Sequence, residues 1–284
     1  MKRLFLIGLA VIVLSACAQQ GGSLATNELS DTPTYGRFIW HDLLTDDVEA
    51  AKSFYGALLG WEFESTTRPG GGPYTLILTA SGRVVGGMLE VEDPGDGEDY
   101  SRWLGYFAVP DVDAAARETV RSGGQVVVSP REIGDVARGS VMQDADGAVV
   151  GLLTSRVGYP VERPSVSPGE VAWNELVAAD PEAMARFYAG LVSGTVSEEA
   201  RGAFVYRFLE SDGRPSAGVM LRPNEQLEPL WLTYFAVENV SSVSARVASL
   251  GGERLLAPDD TIRDGRIALV TDPGGAVLGL MEQE

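Results

Sequence analysis

The chain has 284 residues, 45% of them apolar, which is enough for two domains of ordinary size, each with its own core. Its formal net charge is −18, from 40 acidic and 22 basic residues, so it repels phosphate backbones and anionic headgroups, which argues against nucleic acid as a partner. One histidine, His41, and one cysteine, Cys17, are too few soft donors for a zinc-type site and offer no internal disulfide.

Lys2 and Arg3 precede an apolar run from Leu4 to Leu14, followed by Ser15-Ala16-Cys17. A basic start, a short apolar core and a small residue before the cut form the pattern of a secretory signal peptide over residues 1–16. The run is about half the length a membrane-spanning helix needs. Leu14-Ser15-Ala16-Cys17 resembles the lipobox of bacterial lipoproteins. That resemblance implies cleavage before Cys17, a diacylglyceryl group on its sulfur and acylation of the new amino group. Several acyl chains give lasting membrane anchorage. An ordinary signal peptide with an incidental cysteine is the alternative. The implied location is the bacterial cell envelope. In an organism with two membranes it is the periplasmic face of the outer membrane, since Ala18 stands where the sorting rule of lipoproteins has Asp for inner-membrane retention. Residues 17–34, rich in Gly, Gln, Ser, Thr and Asn, read as a flexible tether whose ends lie about 20–25 Å apart.

The sequence then repeats. Trp40-His41-Asp42-Leu43 is matched by Trp173-Asn174-Glu175-Leu176, and Phe54-Tyr55-Gly56 by Phe187-Tyr188-Ala189. Trp103-Leu104-Gly105-Tyr106-Phe107-Ala108-Val109 is matched by Trp231-Leu232-Thr233-Tyr234-Phe235-Ala236-Val237, and Asp146-Gly147 by Gly274-Gly275. The repeat predicts one module over 35–155 and a second over 169–284. Between them runs a linker, 156–168, stiffened by Pro160, Pro164 and Pro168.

Each module is itself halved. Gly36–Leu44 is strand-like, Asp46 or Asp47 is an N-cap, and Val48, Ala51, Tyr55 and Leu58 keep the spacing of a helix face that ends at Gly60. Short β-type runs follow over Trp61–Ser65, Tyr74–Thr79 and Val84–Val91, with Gly70-Gly71-Gly72-Pro73 as a hairpin loop. The pattern restarts with a strand over Arg102–Val109, a cap at Asp111 and a helix running to Gly123-Gly124. In the second module Asp180-Pro181 caps a helix, and another runs from Val240 to Gly251-Gly252. The whole reads as four βαβββ units, an α+β fold. The acidic run Glu90–Asp99 reads as a solvated loop and lacks the spacing of a calcium loop.

This arrangement resembles the vicinal oxygen chelate superfamily of glyoxalases, extradiol dioxygenases and bleomycin-resistance proteins. Four motifs carry the resemblance, in order. They are an Asp seven residues before Phe-Tyr (Asp47, Asp180), Leu59-Gly60-Trp61, the Phe107–Asp111 motif, and Asp-x-Asp-Gly at Asp144–Gly147. It covers nearly all of the mature chain. It implies two tandem glyoxalase-like modules with curved mixed β-sheets, helices on the outer face and a cavity in each module or at their seam.

Metal-using members hold their ion with a His or Gln on the first strand, a His on the first strand of the second half and a Glu on the last strand. Counting from the motifs places these at Trp40, Leu104 and Gly151, and at Trp173, Leu232 and Gly279 in the second module. None of the six offers a side-chain donor, so the expectation is no metal and no cofactor.

Positions two apart on a strand share a face. Trp40 with Asp42, Trp173 with Glu175, and then Tyr106 and Tyr234 are therefore the candidate ligand-binding residues. They would give each module an aromatic wall beside a carboxylate, suited to a small, partly aromatic or cationic molecule. The bland alternatives are indoles that fill a core and carboxylates satisfied by backbone or Arg. His41 and the Phe54-Tyr55 and Phe187-Tyr188 pairs read as structural. The expected function is metal-free small-molecule binding on the envelope through lipidated Cys17. A divergent metal-dependent lyase, isomerase or dioxygenase, or a non-catalytic scaffold, are the alternatives, no catalytic residue is assigned, and homodimer formation is left open.

Overall fold

The computed structural model describes residues 28–69, 71–92, 101–201 and 204–283. The expected signal peptide, Cys17 and the tether as far as Asn27 lie outside them, as does most of the acidic run Glu90–Asp99.

Ahead of the first module comes β1 (Leu29–Ser30). The first unit then runs β2 (Phe38–Thr45), α1 (Val48–Leu59), β3 (Glu62–Thr67), β4 (Pro73–Leu78) and β5 (Val84–Glu90). The second is β6 (Arg102–Ala108), α2 (Val112–Arg121), β7 (Gln125–Ile133), β8 (Ala137–Gln143) and β9 (Val149–Ser155). After β10 (Tyr159–Pro160) the third unit is β11 (Val171–Ala178), α3 (Pro181–Val192), β12 (Thr195–Arg201), β13 (Phe204–Ser211) and β14 (Arg214–Leu221). The fourth is β15 (Leu230–Val237), α4 (Val240–Arg246), β16 (Glu253–Leu256), β17 (Ile267–Thr271) and β18 (Val277–Glu282).

The helices start and stop where the sequence predicts. Asp47, Asp111 and Asp180 each accept a backbone N–H three residues on, satisfying a donor the helix leaves open, and Pro181 stands in the first turn of α3. Gly60 ends α1 in the left-handed region, at φ 71°. The fourth helix differs from expectation. It changes to a tighter 3₁₀ turn over Val247–Leu250 before stopping at Gly251.

Each module forms one eight-stranded mixed sheet, in the order β3-β4-β5-β2-β6-β9-β8-β7 and β12-β13-β14-β11-β15-β18-β17-β16. The first strands of the paired units lie antiparallel at the centre, β2 on β6 and β11 on β15. Beside them β5, β9, β14 and β18 run parallel to β2, β6, β11 and β15, and antiparallel to β4, β8, β13 and β17. Alternation along β2 then sorts its residues. Trp40 and Leu44 pack on an inner face with Tyr74, Leu104 and Tyr106, whereas Leu43 packs on the opposite face with α1.

The modules join through these helix-bearing faces, and they do so crosswise. The core that holds Phe54, Tyr55 and Leu58 of α1 continues into Val247, Val270 and Leu278 of the second module. The core around Tyr188 of α3 continues into Val112, Met142 and Leu152 of the first. The Phe-Tyr pairs are buried, as expected, but their hydroxyls also reach across the seam. Tyr55 donates to Asp272 Oδ2 (3.0 Å) and accepts from Trp103 Nε1 (2.9 Å). Its repeat, Tyr188, donates to Asp144 Oδ2 (2.8 Å) and accepts from Trp231 Nε1 (2.8 Å). Asp144 is the first residue of the Asp-x-Asp-Gly motif. Its other oxygen accepts from the backbone of Asp146, Gly147 and Ala148. The motif therefore closes a turn and ties two modules.

His41 lies on the seam as well, with Nε2 2.9 Å from Oδ1 of Asn174, its counterpart in the repeat. Burial lowers the imidazole pKa to about 4. The ends of the expected tether and linker are not loose. Leu29–Ser30 pairs antiparallel with Tyr159–Pro160, and the Val161 N–H donates to the Glu28 carbonyl (3.0 Å).

Candidate functional site

The six candidate residues fall into two sets, one on each inner face. Register brings them together. Trp40 pairs with Tyr106 across β2 and β6, and Tyr106 pairs in turn with Gly151 on β9. In the second module Trp173 pairs with Tyr234, and Tyr234 with Gly279.

In the first module Asp42 is fully buried and takes its protons from side chains. Its Oδ1 accepts from Tyr74 (2.6 Å) and from Trp40 Nε1 (2.9 Å), and the same indole N–H lies 3.1 Å from the Tyr74 hydroxyl. The Tyr106 hydroxyl lies against the same carboxyl group. Oδ2 has no aligned hydrogen-bond partner among the described residues. Burial raises the Asp42 pKa, the hydroxyl and indole donors oppose the rise, and the balance stands at about 7. At Oδ2 a proton costs less than an uncompensated buried charge. Burial likewise pushes Tyr74 and Tyr106 well above the ordinary phenol range.

The second module repeats the motif with one methylene more and one partner more. Glu175 accepts from Tyr206 (2.5 Å) at Oε1 and from Tyr234 (2.9 Å) at Oε2, and Trp173 Nε1 donates to the Tyr206 hydroxyl (3.0 Å). Arg263, from the segment between β16 and β17, bonds Glu175 Oε1 and the Tyr206 hydroxyl through one Nη2. Its guanidinium stands 5.3 Å from the Tyr206 ring centre and 5.7 Å from that of Tyr234. Burial is the largest single influence on Arg263 and opposes its charge, but Glu175, Tyr206 and Tyr234 together outweigh it and hold the guanidinium above its ordinary value. Arg201 covers the Tyr206 ring at 4.2 Å and is matched by Glu199.

Glycines make both arrangements fit. A Cβ on Gly151 would meet the Tyr106 ring at 1.9 Å, and one on Gly279 the Tyr234 ring at 2.1 Å. A Cβ on Gly87 would meet the Tyr74 hydroxyl at 1.6 Å, and one on Gly218 the Tyr206 hydroxyl at 1.8 Å. The last-strand positions, Gly151 and Gly279, are those the family resemblance assigns to a metal-binding Glu. Tyrosine rings fill the space that such side chains would need, so the residues present do not fit a metal held in that way.

The two faces differ in access. In the first module Trp40, Asp42, Tyr74 and Tyr106 are all buried, within a continuous apolar cluster that includes Leu76, Leu104 and Leu153. No void separates Tyr106 from Gly151, since the ring rests on the glycine. In the second module Glu175, Tyr206 and Tyr234 are equally buried, but the buried apolar cluster is smaller, Leu232, Tyr234 and Ile267 among the described residues, and Trp173, Leu256, Leu269 and Met281 stay half-buried around it. Surface grooves of about 310 and 510 Å³ run along β4 and β5 of the first module, by Asp46, Pro73 and Glu90, and Tyr74 lines the larger of them.

Tyr74, Tyr206 and Arg263 were not among the residues that sequence reasoning singles out. The tyrosines fall at an offset of 132, between the two offsets of the flanking motifs, and Arg263 lies in a segment without regular repeat.

A family model described as glyoxalase/bleomycin resistance protein/dioxygenase superfamily matches residues 37–152 and again 170–280. The Mycobacterium tuberculosis protein named "Putative glyoxylase CFP32" is 34% identical over 247 residues, covering 86% of this chain and 93% of that protein. The anthracycline biosynthesis protein DauV of a Streptomyces species is 30% identical over 255 residues, 86% of this chain and 92% of that one. Among solved structures, the Mn(II)-bound glyoxalase of Novosphingobium aromaticivorans superposes with a TM-score of 0.58 at 16% identity, covering 88% of this chain and 82% of that one. The 2,2',3-trihydroxybiphenyl 1,2-dioxygenase of Sphingomonas wittichii superposes with a TM-score of 0.55 at 15% identity, covering 87% and 90%. At these identities the structural likeness establishes the fold alone.

Proposed function

This chain belongs to the glyoxalase/bleomycin resistance protein/dioxygenase superfamily, and from that premise we propose that it binds a small, partly aromatic molecule without a metal, at the inner face of its second module. The observation that supports this most is the pairing of Tyr106 with Gly151 and of Tyr234 with Gly279. Where relatives that use a metal need a carboxylate, this chain has a bare backbone with a phenol ring laid on it. Trp, Leu and Gly supply no donor to a divalent ion.

What the site offers instead is flat apolar surface beside polar groups that are already oriented. Trp173 is half-buried, so part of its indole is exposed for a ligand that stacks, and Tyr206, Tyr234 and Glu175 fix the edge at which a polar group would be read. The first module, with its base packed solid, serves as the rigid partner against which the second is held. Two relatives bear names tied to anthracycline biosynthesis, which is in keeping with an aromatic ligand.

The test has two arms. Elemental analysis of the purified protein should find no stoichiometric Fe, Mn, Ni, Co or Zn. Titration with a panel of planar aromatic compounds should raise Tm and quench tryptophan emission in a saturable way, and Trp173→Ala should abolish that response while preserving the fold. A stoichiometric metal, or silence across the panel, overturns the reading.

Anchorage belongs to the same proposal. The lipobox-like Leu14-Ser15-Ala16-Cys17 supports attachment to the envelope through Cys17. Cys17→Ala should move the protein from the membrane fraction to the soluble fraction and abolish incorporation of a labelled fatty acid. An unchanged membrane fraction would refute the anchor.

A further inference from the structure

The base of the second inner face is built like a receptor for a positive charge. Glu175 is 1% exposed, and its two oxygens are held by hydroxyls from two different strands. Two phenol rings stand within cation–π range of the space in front of it. A guanidinium already fills that space, and its origin is unusual. Arg263 comes from an irregular segment on which it and Asp264 both adopt left-handed backbone angles, φ 51° and 56°, a region that side-chain-bearing residues avoid. Its side chain is 25% exposed, against 1% for the carboxylate it pairs with. The charged group of an exposed, conformationally costly turn is thus inserted into a buried cage.

We infer that the Glu175–Tyr206–Tyr234 cage is an organic-cation site, and that Arg263 is its internal occupant, displaced when an amidinium, guanidinium or alkylammonium group of a ligand arrives. This rests on the reading of the second inner face as the ligand site, and adds the charge of the group it reads. The first module supplies the control. There the corresponding carboxylate, Asp42, is shorter by a methylene and is bonded directly by the indole N–H of Trp40 within a closed core. In the second module the indole N–H of Trp173 has turned to Tyr206, which leaves Glu175 to the cation. An anionic ligand fits the site poorly. It would meet a buried carboxylate, and the two nearby guanidiniums are each already matched, Arg263 by Glu175 and Arg201 by Glu199.

Three probes of one shape and different charge test this: benzamidinium, benzamide and benzoate. Each is titrated by calorimetry and tryptophan emission, at fixed ionic strength, into the wild-type chain, Arg263→Ala, Arg263→Lys, and Arg263→Ala with Glu175→Gln. Removing the internal occupant should make benzamidinium bind Arg263→Ala at least tenfold more tightly than wild type and at least tenfold more tightly than benzamide does. Arg263→Lys, which keeps a cation in place, should behave like wild type, and the double variant should lose the preference. Circular dichroism establishes that each variant is folded. Equal affinity of Arg263→Ala for benzamidinium and benzamide overturns the inference. So does benzoate binding to wild type that vanishes in Arg263→Ala, because Arg263 would then be an anion anchor. The broader reading fails separately, through a stoichiometric metal or a silent aromatic panel in the wild-type chain. A cation preference in Arg263→Ala would survive a silent panel.

Discussion

His41 and Asp42 are neighbours in the chain, face opposite sides of one strand, and are driven by burial toward opposite protonation behaviour. Asp42 is lifted to about 7, so between pH 4 and 7 the unfolded chain ionises it while the folded chain keeps the proton, and its contribution to stability falls as pH rises. Asp144 and Asp272 on the seam, also raised by burial, act in the same sense. His41 is lowered to about 4, so between pH 6.5 and 4 the unfolded chain takes up a proton that the folded chain refuses, and stability falls as pH drops. The opposed terms flatten the wild-type profile, and single variants should expose them. Relative to wild type, Asp42→Asn should gain up to about 4 kcal/mol between pH 4 and 7.5, read from urea unfolding across that range. His41→Gln should gain up to about 3 kcal/mol, relative to wild type, between pH 6.5 and 4. A flat difference for either variant would mean that its burial does not set its charge.

At the scale of elements, the contacts that define the inner faces are those of a ring on a neighbouring strand's glycine. Tyr106 and Gly151 are register partners on β6 and β9, so a methyl group on the glycine has nowhere to go. Gly151→Ala should cost about 3 kcal/mol or more in stability through overpacking. Tyr106→Ala should cost about 3–5 kcal/mol through the cavity it leaves. Combined, the two should cost clearly less than their sum, because the new methyl partly fills the space the ring vacates. Additive losses in urea unfolding would show that the two residues do not share that space. The elements themselves were legible. Gly60, the Asp caps and the strand runs fall within a residue or two of their expected places, since caps and period-two patterns are local physics. Leu29–Ser30 and Tyr159–Pro160 were not legible as strands. Two residues carry no period, and their pairing exists only because the fold brings the ends together.

For the whole molecule, the crosswise seam means that neither module owns its cores. Tyr55 serves Asp272 and Tyr188 serves Asp144, each with an indole N–H behind it. Tyr55→Phe leaves a buried carboxylate without that donor and should cost about 2 kcal/mol. Calorimetry should show one transition in both the wild-type chain and this variant, with the calorimetric and van't Hoff enthalpies equal and Tm lower in the variant. Two separated peaks would show that the modules unfold independently.

The sequence alone was sufficient for the duplication, the four βαβββ units, the family and the six residues of the two inner faces, because these depend on spacing along the chain. It also showed that no metal donor stands at Trp40, Leu104 and Gly151 or at their repeats. Three things were decided only in three dimensions. Tyr74 and Tyr206 join their carboxylates by strand pairing across loops whose lengths differ between the modules. Arg263 reaches Glu175 from a segment without periodicity. The closure of one inner face and the access to the other depend on how side chains of equal chemistry pack, and a difference of one methylene between Asp42 and Glu175 is silent until the neighbouring strands are in place.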